Sequence, residues 1–396
     1  ILIGLVGSEM CIRDRFYSDY QEIRQGKKIH HPTLEYQTGS IRNDFDFGQL
    51  LLFRNDSFQQ VVAQMNTDYR FAALYELRLS ISRLGKIVHI PETLYTVQPT
   101  DLRLSGEKQF DYVDPANREV QLEMEAVCTA HLQAIGAWLA PEFQRIDFGQ
   151  ENFAREASVI IPVRNRKRTI AEAVESALQQ QTDFSFNVIV VDNHSTDGTG
   201  QILTELSRRY PNLIHHIPAS TELGIGGCWT EAILLPECGK FAIQLDSDDL
   251  YKDCHVLQRI VDTFYQENCA MVIGSYQMVD FKLEEIPPGL IAHREWTPDN
   301  GRNNALRING LGAPRAFYTP VLRQIKFPNV SYGEDYATAL AISRKYPIAR
   351  IYDPLYLCRR WEENSDHDLD IQQLNNYNFY KDKIRTLEIQ ARISGK

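Results

Sequence analysis

The run Phe-Ala-Ile-Gln-Leu-Asp-Ser-Asp-Asp-Leu at 241–250 is where this sequence gathers groups able to do chemistry. An apolar stretch long enough for a buried strand ends in Asp246, Asp248 and Asp249, with one serine among them. Parallel strands covered on both faces read as such apolar runs, and ligands of open α/β sheets lie just beyond the carboxyl ends of the strands. Carboxylates clustered there repel one another unless a cation is present. A hard divalent ion such as Mg2+ or Mn2+ prefers oxygen ligands and bridges to phosphate oxygens, so the stretch reads as a metal–diphosphate site. The duller reading makes Asp248 and Asp249 caps of a helix beginning near Tyr251.

Composition narrows the class. The 396 residues, 43% apolar and 10% aromatic, are globular in character and enough for two domains. A net charge of −10, with a pI near 5.5, argues against nucleic acid or an anionic membrane surface as the main partner. Seven scattered cysteines with no C-x-x-C pair speak against disulfides and zinc and for a reducing compartment. No apolar run approaches a membrane-spanning length. The opening ILIGLVGSEMCIRDR has no initiating Met and too short an apolar core for a signal peptide. It resembles translated sequencing-adapter read-through, so residues 1–15 are expected to be non-native and the chain a fragment lacking its true N-terminus.

The elements that must position the acids follow from hydrophobic patterning. Residues 158–163 read as a buried strand and 167–181 as a helix with Ile170, Ala173, Val174 and Ala177 on one face. A second strand, 186–191, runs into Asp192, and Ser195 or Thr196 caps a helix through 209. A strand at 213–217 precedes Gly224-Ile-Gly-Gly227, a flexible turn into a helix at 229–235. Strands alternating with helices predict βαβ units and a parallel sheet. Right-handed crossovers then put Asp192 and Asp246 at one sheet edge.

Beyond Asp249 the pattern predicts a helix to 267, a strand at 271–279 and a long loop, 284–304, suited to a lid or acceptor-binding segment. A strand at 311–317 comes next. Glu334 and Asp335 open a helix through 344, and a strand at 349–357 leads into Arg359-Arg360-Trp361 before a terminal helix at 369–393. On the N-terminal side, helices are expected at 58–65 and 70–84, a strand at 86–90 closed by Pro91, and a long helix at 115–139. The polar stretch 142–156 marks a boundary, giving segments 16–150 and 151–396.

One internal repeat stands out. Ile81-Ser-Arg83 precedes Leu94-Tyr95 by the interval at which Ile342-Ser-Arg344 precedes Leu355-Tyr356. In that register Glu334 and Asp335 fall on Ala73 and Leu74. The N-terminal copy reads as the back end of a second, truncated domain without the acidic pair and without catalysis.

From 157 to about 365 the chain resembles a family 2 glycosyltransferase of the GT-A fold. The matching pieces are Ser158-Val-Ile-Ile-Pro-Val-Arg-Asn165, Val190-Val-Asp-Asn-His-Ser-Thr-Asp-Gly-Thr199, Gly224-Ile-Gly-Gly227, Leu245-Asp-Ser-Asp-Asp249 and Gly333-Glu-Asp335. The resemblance implies an α/β fold, a Rossmann-like, mostly parallel sheet flanked by helices and preceded by a partial α+β segment. It implies transfer, with inversion, of a sugar from a UDP- or GDP-linked donor to a hydroxyl of a glycan or lipid-linked acceptor in polysaccharide biosynthesis. The enzyme would be cytoplasmic, with a face held peripherally at the inner membrane.

The resemblance also distributes roles. Pro162, Arg164, Asn165, Asp192, Gly226, Gly227, Asp246, Arg360 and Trp361 would bind the donor, and Asp246 and Asp248 would hold Mg2+ or Mn2+. Asp192 can accept from a uracil or guanine N–H or simply cap the Ser195 turn. Asp335 would be the general base, with Glu334 orienting the acceptor; as first-turn charge the pair would only favour the helix dipole. His367 is an additional candidate ligand. Arg164 and Cys228-Trp229-Thr230 stand where the family usually has other residues. A sugar nucleotidyltransferase would instead want glycine in the basic loop 164–168, which has none. A non-catalytic glycan-binding scaffold suits the N-terminal copy and not the second.

Overall fold

The computed structural model describes residues 13–66, 68–100, 108, 111–149, 151–361, 364 and 369–395. The chain divides into two compact units, one of residues 1–139, 303–309 and 368–396, the other of 140–302 and 310–367.

In the first unit β1 (Arg13–Arg24) is the central strand. β2 (Lys27–His31) returns antiparallel along its second half, with Tyr20 opposite His31. β3 (Leu52–Phe53) lies antiparallel along its first half, with Arg15 opposite Phe53. Two helices follow, α1 (Asn55–Val62) and α2 (Ala73–Leu84), and bury Val61, Leu77 and Ile81 together. β4 (Lys86–Val97) then runs parallel to β1, and α3 (Arg118–Ala134) comes after it.

One expectation changes here, and a second observation stands beside it. The strand does not stop at Pro91: Ser18 faces Ile90 and Asp19 faces Thr93, so the proline, which has no N–H to give a ladder, sits in a bulge. The segment set aside as foreign ends inside β1. Arg13 pairs with Lys86, and the buried Arg15 places its guanidinium 3.7 Å from the Phe47 ring centroid.

The second unit begins as expected with β5 (Ala157–Val163), α4 (Ile170–Leu178), β6 (Phe186–Asp192), α5 (Thr199–Arg209) and β7 (Leu213–His216). α6 (Ile225–Leu234) starts earlier than the sequence pattern suggested, so the glycines form its first turn and not a flexible loop. β8 (Phe241–Gln244) carries the acidic run, and β9 (Leu250–Tyr251) follows at once. The next helix, α7 (Val256–Glu267), starts too late for Asp248 or Asp249 to cap it.

β10 (Met271–Val279) pairs with β11 (Glu285–Ile291), which takes up much of the expected lid loop; α8 (Gly301–Asn304) takes up more. Then come β12 (Arg315–Tyr318), α9 (Thr319–Ile325), α10 (Glu334–Ser343) and β13 (Ile348–Arg359). The sheet order is β7-β6-β5-β8-β12-β10-β13-β9, with β11 beside β10. The first four strands are parallel, so Val163, Asp192 and Gln244 end at one edge. β12 runs antiparallel to β8, Ala316 facing Ile243, which brings its first residue, Arg315, to that edge.

The repeat holds to the level of register. β10 pairs with β11, β12 and β13 as β1 pairs with β2, β3 and β4. Arg15, Phe16 and Tyr17 face Ile87, Val88 and His89; Met271, Val272 and Ile273 face Ile348, Ala349 and Arg350. Both ladders then break and resume, Asp19 on Thr93 and Tyr20 on Tyr95, Ser275 on Pro354 and Tyr276 on Tyr356. The helices preceding the outer strands begin at matching positions, Ala73 and Glu334.

The last helix, α11 (Ile371–Ile393), is capped by Asp370, whose carboxylate accepts the Gln373 N–H at 2.7 Å. It belongs to the first unit, whereas the sequence pattern had grouped it with 151–396. Its buried Asp382 accepts from Ser40 Oγ at 3.0 Å, Arg42 Nε at 3.3 Å and Arg385 Nη1 at 2.9 Å. No helix among the described residues is long and apolar enough to cross a membrane.

Candidate active site

The loops after β5 and β6 are laced together. Asn165, in the left-handed region, donates its N–H to Ser195 Oγ at 2.9 Å and accepts the Thr196 N–H at 2.8 Å. Lys167 N–H donates to Asp197 at 2.9 Å, and the same carboxylate accepts the first N–H of α5, from Thr199, at 3.0 Å. Asp197 thus does the work expected of Ser195 or Thr196. Asp192 is buried, with one oxygen on the Ser195 N–H at 2.9 Å and the other 3.4 Å from His215 Nε2. Burial alone would raise its carboxyl, but the His215 and Ser195 hydrogen bonds hold it below the usual range. The turn-capping role is therefore the one the geometry displays. Pro162 is half-buried at the strand end and Arg164 is exposed.

Gly226 and Gly227 are buried, and their bare Cα atoms face the segment 328–330. A Cβ on Gly226 would run into the Pro328 carbonyl, and one on Gly227 into the Asn329 side chain. The first N–H groups of α6 are spent there: Gly224 on Asn329 Oδ1 at 2.8 Å, Ile225 on Ser331 Oγ at 3.3 Å, Gly226 on Val330 O at 2.9 Å. That stitching fixes the segment which, through Gly333 at φ 81°, delivers Glu334 and Asp335. The unusual Trp229 serves the same purpose, packing on Phe317 and Phe327.

The acidic run is held from behind. Asp246 N–H donates to the Tyr356 hydroxyl at 2.8 Å, and Gln244 Nε2 donates to Asp246 Oδ1 at 2.9 Å. Asp249 accepts the Arg359 N–H at 2.7 Å, and the Arg359 guanidinium reaches the Asp248 carbonyl and Glu172. Asp248 Oδ2 accepts from Trp361 Nε1 at 3.1 Å, with Arg166 Nε at 3.7 Å. Trp361 in turn meets Phe281 edge-on, and Arg168 lies over both rings. Arg360 N–H continues the ladder on Val279 O. His367 lies outside the described residues.

Burial raises the Asp246 carboxyl, against relief from Gln244 and Arg315, and Asp248 adds to the rise. Burial followed by Asp248 and Asp246 pushes Asp249 well above its usual range. Packed carboxylates of this kind gain from a cation, and an all-oxygen set suits Mg2+ or Mn2+. Among the described residues no three His, Cys, Asp or Glu side chains surround one ion position.

Arg315 is the residue the sequence pattern missed. Its Nη2 lies 2.7 Å from Asp335 Oδ2 and its Nη1 donates to Gln244 Oε1 at 3.1 Å. Nothing local marks it; only the antiparallel placement of β12 brings it to the strand ends. Beside it, Glu334 is buried with Oε2 lacking a hydrogen-bond partner, and burial followed by Asp335 pushes its carboxyl up to about 8. Asp246, Gln244, Arg315, Asp335 and Glu334 thus share one neighbourhood, while Asp192 stands apart in its own turn.

The Glycosyl transferase family 2 model matches residues 158–325. An uncharacterised glycosyltransferase of Nostoc sp. is 32% identical over 123 residues, 31% of this chain and 37% of that protein. The poly(ribitol-phosphate) beta-glucosyltransferase of Bacillus spizizenii is 24% identical over 230 residues, 56% of this chain and 35% of that one. The chain therefore spans little more than a third of the length of these curated relatives. Among solved structures, residues 1–349 of S. aureus TarS in complex with UDP-GlcNAc align with TM-score 0.46 at 22% identity, covering 60% of this chain and 72% of that one.

Proposed function

Residues 158–325 form a family 2 glycosyltransferase domain, and from that premise we propose that the second unit transfers a sugar from a UDP- or GDP-linked donor to a hydroxyl of a glycan or lipid-linked acceptor. The observation that carries this reading is the meeting of Asp335 with the Asp246 strand end through Arg315 and Gln244. Donor-leaving and acceptor-activating groups belong within one cleft. Asp335 takes the acceptor's hydroxyl proton as the acceptor oxygen bonds to the anomeric carbon. The bond from that carbon to the diphosphate oxygen breaks, its electron pair leaving with the nucleotide, and the configuration inverts. Asp246 and Asp248 would hold Mg2+ or Mn2+, which when bound neutralises charge on the leaving diphosphate. Arg164, Asn165 and Trp361 line the donor side, and Arg360 closes it.

The named relatives support a polysaccharide acceptor. A poly(ribitol-phosphate) beta-glucosyltransferase in Bacillus spizizenii, and TuaG of Bacillus subtilis, assigned by its name to teichuronic acid biosynthesis, both favour a cell-wall or capsular polymer. We further propose that the enzyme is cytoplasmic with a face held peripherally at the inner membrane. The first unit, with Ala73 and Leu74 where the second has its acidic pair, is read as a truncated copy without catalysis.

The test is nucleoside diphosphate release by the full chain across UDP- and GDP-sugars with Mn2+ or Mg2+. Turnover lost in EDTA, and lowered by orders of magnitude in Asp248→Asn, is the expected outcome. Full activity in excess EDTA overturns the metal assignment, and no release from any donor overturns the transferase reading.

A further inference from the structure

Two carboxylates open α10, and either has the chemistry of a general base. Only one is engaged by a cation. Arg315 Nη2 sits 2.7 Å from Asp335 Oδ2, while Glu334 turns Oε2 into a buried place with no partner. The arginine is itself fixed by the donor side. Its backbone N–H and its Nη1 converge on Gln244 Oε1 at 3.2 and 3.1 Å, and the other end of that amide donates to Asp246 at 2.9 Å. A continuous chain of hydrogen bonds therefore runs Asp246–Gln244–Arg315–Asp335 between the two halves of the reaction.

Resting on the transferase reading above, we propose that Arg315 is a positioning residue that assigns the base role to Asp335 over Glu334 and couples it to Asp246 through Gln244. In a closely packed pair only one carboxylate ionises readily, and an arginine fork on one of them decides which. Burial works against the arginine's charge, yet Asp335 first and Asp246 after it hold it protonated. The other groups facing this cluster are Tyr356 from β13 and the buried His293, paired with Glu295 at 2.8 Å and kept neutral mainly by burial. Neither supplies a competing positive charge. Asp335 then receives the acceptor proton, and Glu334, protonated, donates a hydrogen bond to the acceptor oxygen region.

The first unit offers an internal control. The register of β12 puts Leu51 where Arg315 stands, and Ala73 and Leu74 where the acids stand. Arginine and acid pair are missing together, as expected of parts that work only as a set.

The experiment uses the full chain with Arg315→Gln, Arg315→Lys, Asp335→Asn and the Arg315→Gln/Asp335→Asn double variant. Arg315→Gln should lower kcat about 10- to 100-fold, within the range of general-base contributions. It should move the ascending limb of the kcat–pH profile to higher pH and leave calorimetric affinity for UDP or GDP within about threefold. Arg315→Lys should restore part of kcat, and the double variant should lose no more than Asp335→Asn alone. Additive losses, an unmoved pH limb, or a collapse of nucleotide affinity with kcat intact would each overturn the assignment. Thermal melting gives a readout independent of turnover: Arg315→Gln should cost more at pH 8 than at pH 5, and adding Asp335→Asn should recover stability at pH 8. A loss equal at both pH values overturns the pairing even if no donor is turned over, an outcome that by itself counts against the transferase reading.

Discussion

The molecule contains the same four-strand, two-helix arrangement twice, and only the second copy opens its last helix with a pair of acids. β1 to β4 and β10 to β13 agree in pairing, in register and in the place where the parallel ladder breaks. The first copy has a buried acid where the second has Ser275: Asp19, tied to the Thr33 N–H at 2.8 Å and to His89 at 2.8 Å. That acid has been given local partners, although the buried Arg15 on the same strand keeps Nε and Nη1 without a hydrogen-bond partner and burial lowers its guanidinium to about 9. Around the second copy the half-buried Asp246 at the neighbouring β8 end, the buried Asp249 and the buried Glu334 on α10 are kept at the expense of ionisation. Backbone pairing thus survives without the acids, whereas the acids are kept despite what they cost the fold. Strained or poorly neutralised groups of this kind are what functional sites retain.

The sharpest way to break the comparison is to exchange its chemistry. Asp335→Asn should lower kcat by about 10²–10⁴-fold, while Ala73→Glu with Leu74→Asp in the first copy should create no turnover, since no strand like β8 and no Arg315 accompanies them. Nucleoside diphosphate release measures both. Turnover that depends on the new acids would show that the first copy is catalytically competent.

The two copies should also respond oppositely to pH. Glu334, raised from 4.5 to about 8, contributes stability that is complete below its unfolded value and is lost as pH rises through about 8. Asp19 is buried, which would raise it, but the Thr33 and His89 bonds hold it below 3.8; its contribution is present above that value and lost as pH falls further. The Glu334 effect is on the order of a few kcal/mol. Hydrogen exchange followed by mass spectrometry should therefore show α10 loosening between pH 5 and 9, and β1 loosening only under strong acid. Uniform loosening of both would refute the contrast.

A smaller effect tests the stitching that only the second unit has. Gly226→Ala should cost about 1–3 kcal/mol through collision with Pro328 and lower kcat by displacing Glu334. An unchanged melting temperature would mean that the 328–330 segment yields freely. The smallest concerns the matched tyrosines. Tyr95 accepts the Gln49 N–H at 2.8 Å and Tyr356 accepts that of Asp246 at 2.8 Å. Each Tyr→Phe should cost about 1 kcal/mol, but only Tyr356→Phe should lower kcat. Equal kinetic effects would mean that the tyrosine supports the sheet and not the acidic run.

What the sequence made legible followed from periodicity and local signals. The apolar runs of β5, β6 and β8 and the acids at their ends needed no long-range information. Pro91 misled because a proline stops a ladder only where an N–H is needed, and the bulge needs none. The glycines at 224–227 looked like a hinge, since nothing local announces that the 328–330 segment will press against them. Arg315 was illegible for the same reason. Its partners Gln244 and Asp335 come from distant positions, joined only because β12 runs antiparallel between β8 and β10. The terminal helix could be recognised as a helix but not assigned, because its allegiance rests on Asp382 and Arg385 meeting Ser40, Arg42 and Ile308.

That allegiance bears on the order in which the protein is made. The first unit is assembled from residues 1–139, the short excursion 303–309 and the helix at the far end. As the chain leaves the ribosome, its opening strands emerge hundreds of residues before the helix that supplies the buried Asp382 and Arg385. Arg42 has Asp44 at 2.9 Å from the start but must wait 340 residues for the buried Asp382. The second unit, although later in sequence, has all of its residues in hand before the segment 368–396 that completes the first. Folding of these segments cannot follow sequence order: the unit holding β1 is completed only once residues 368–396 have been made.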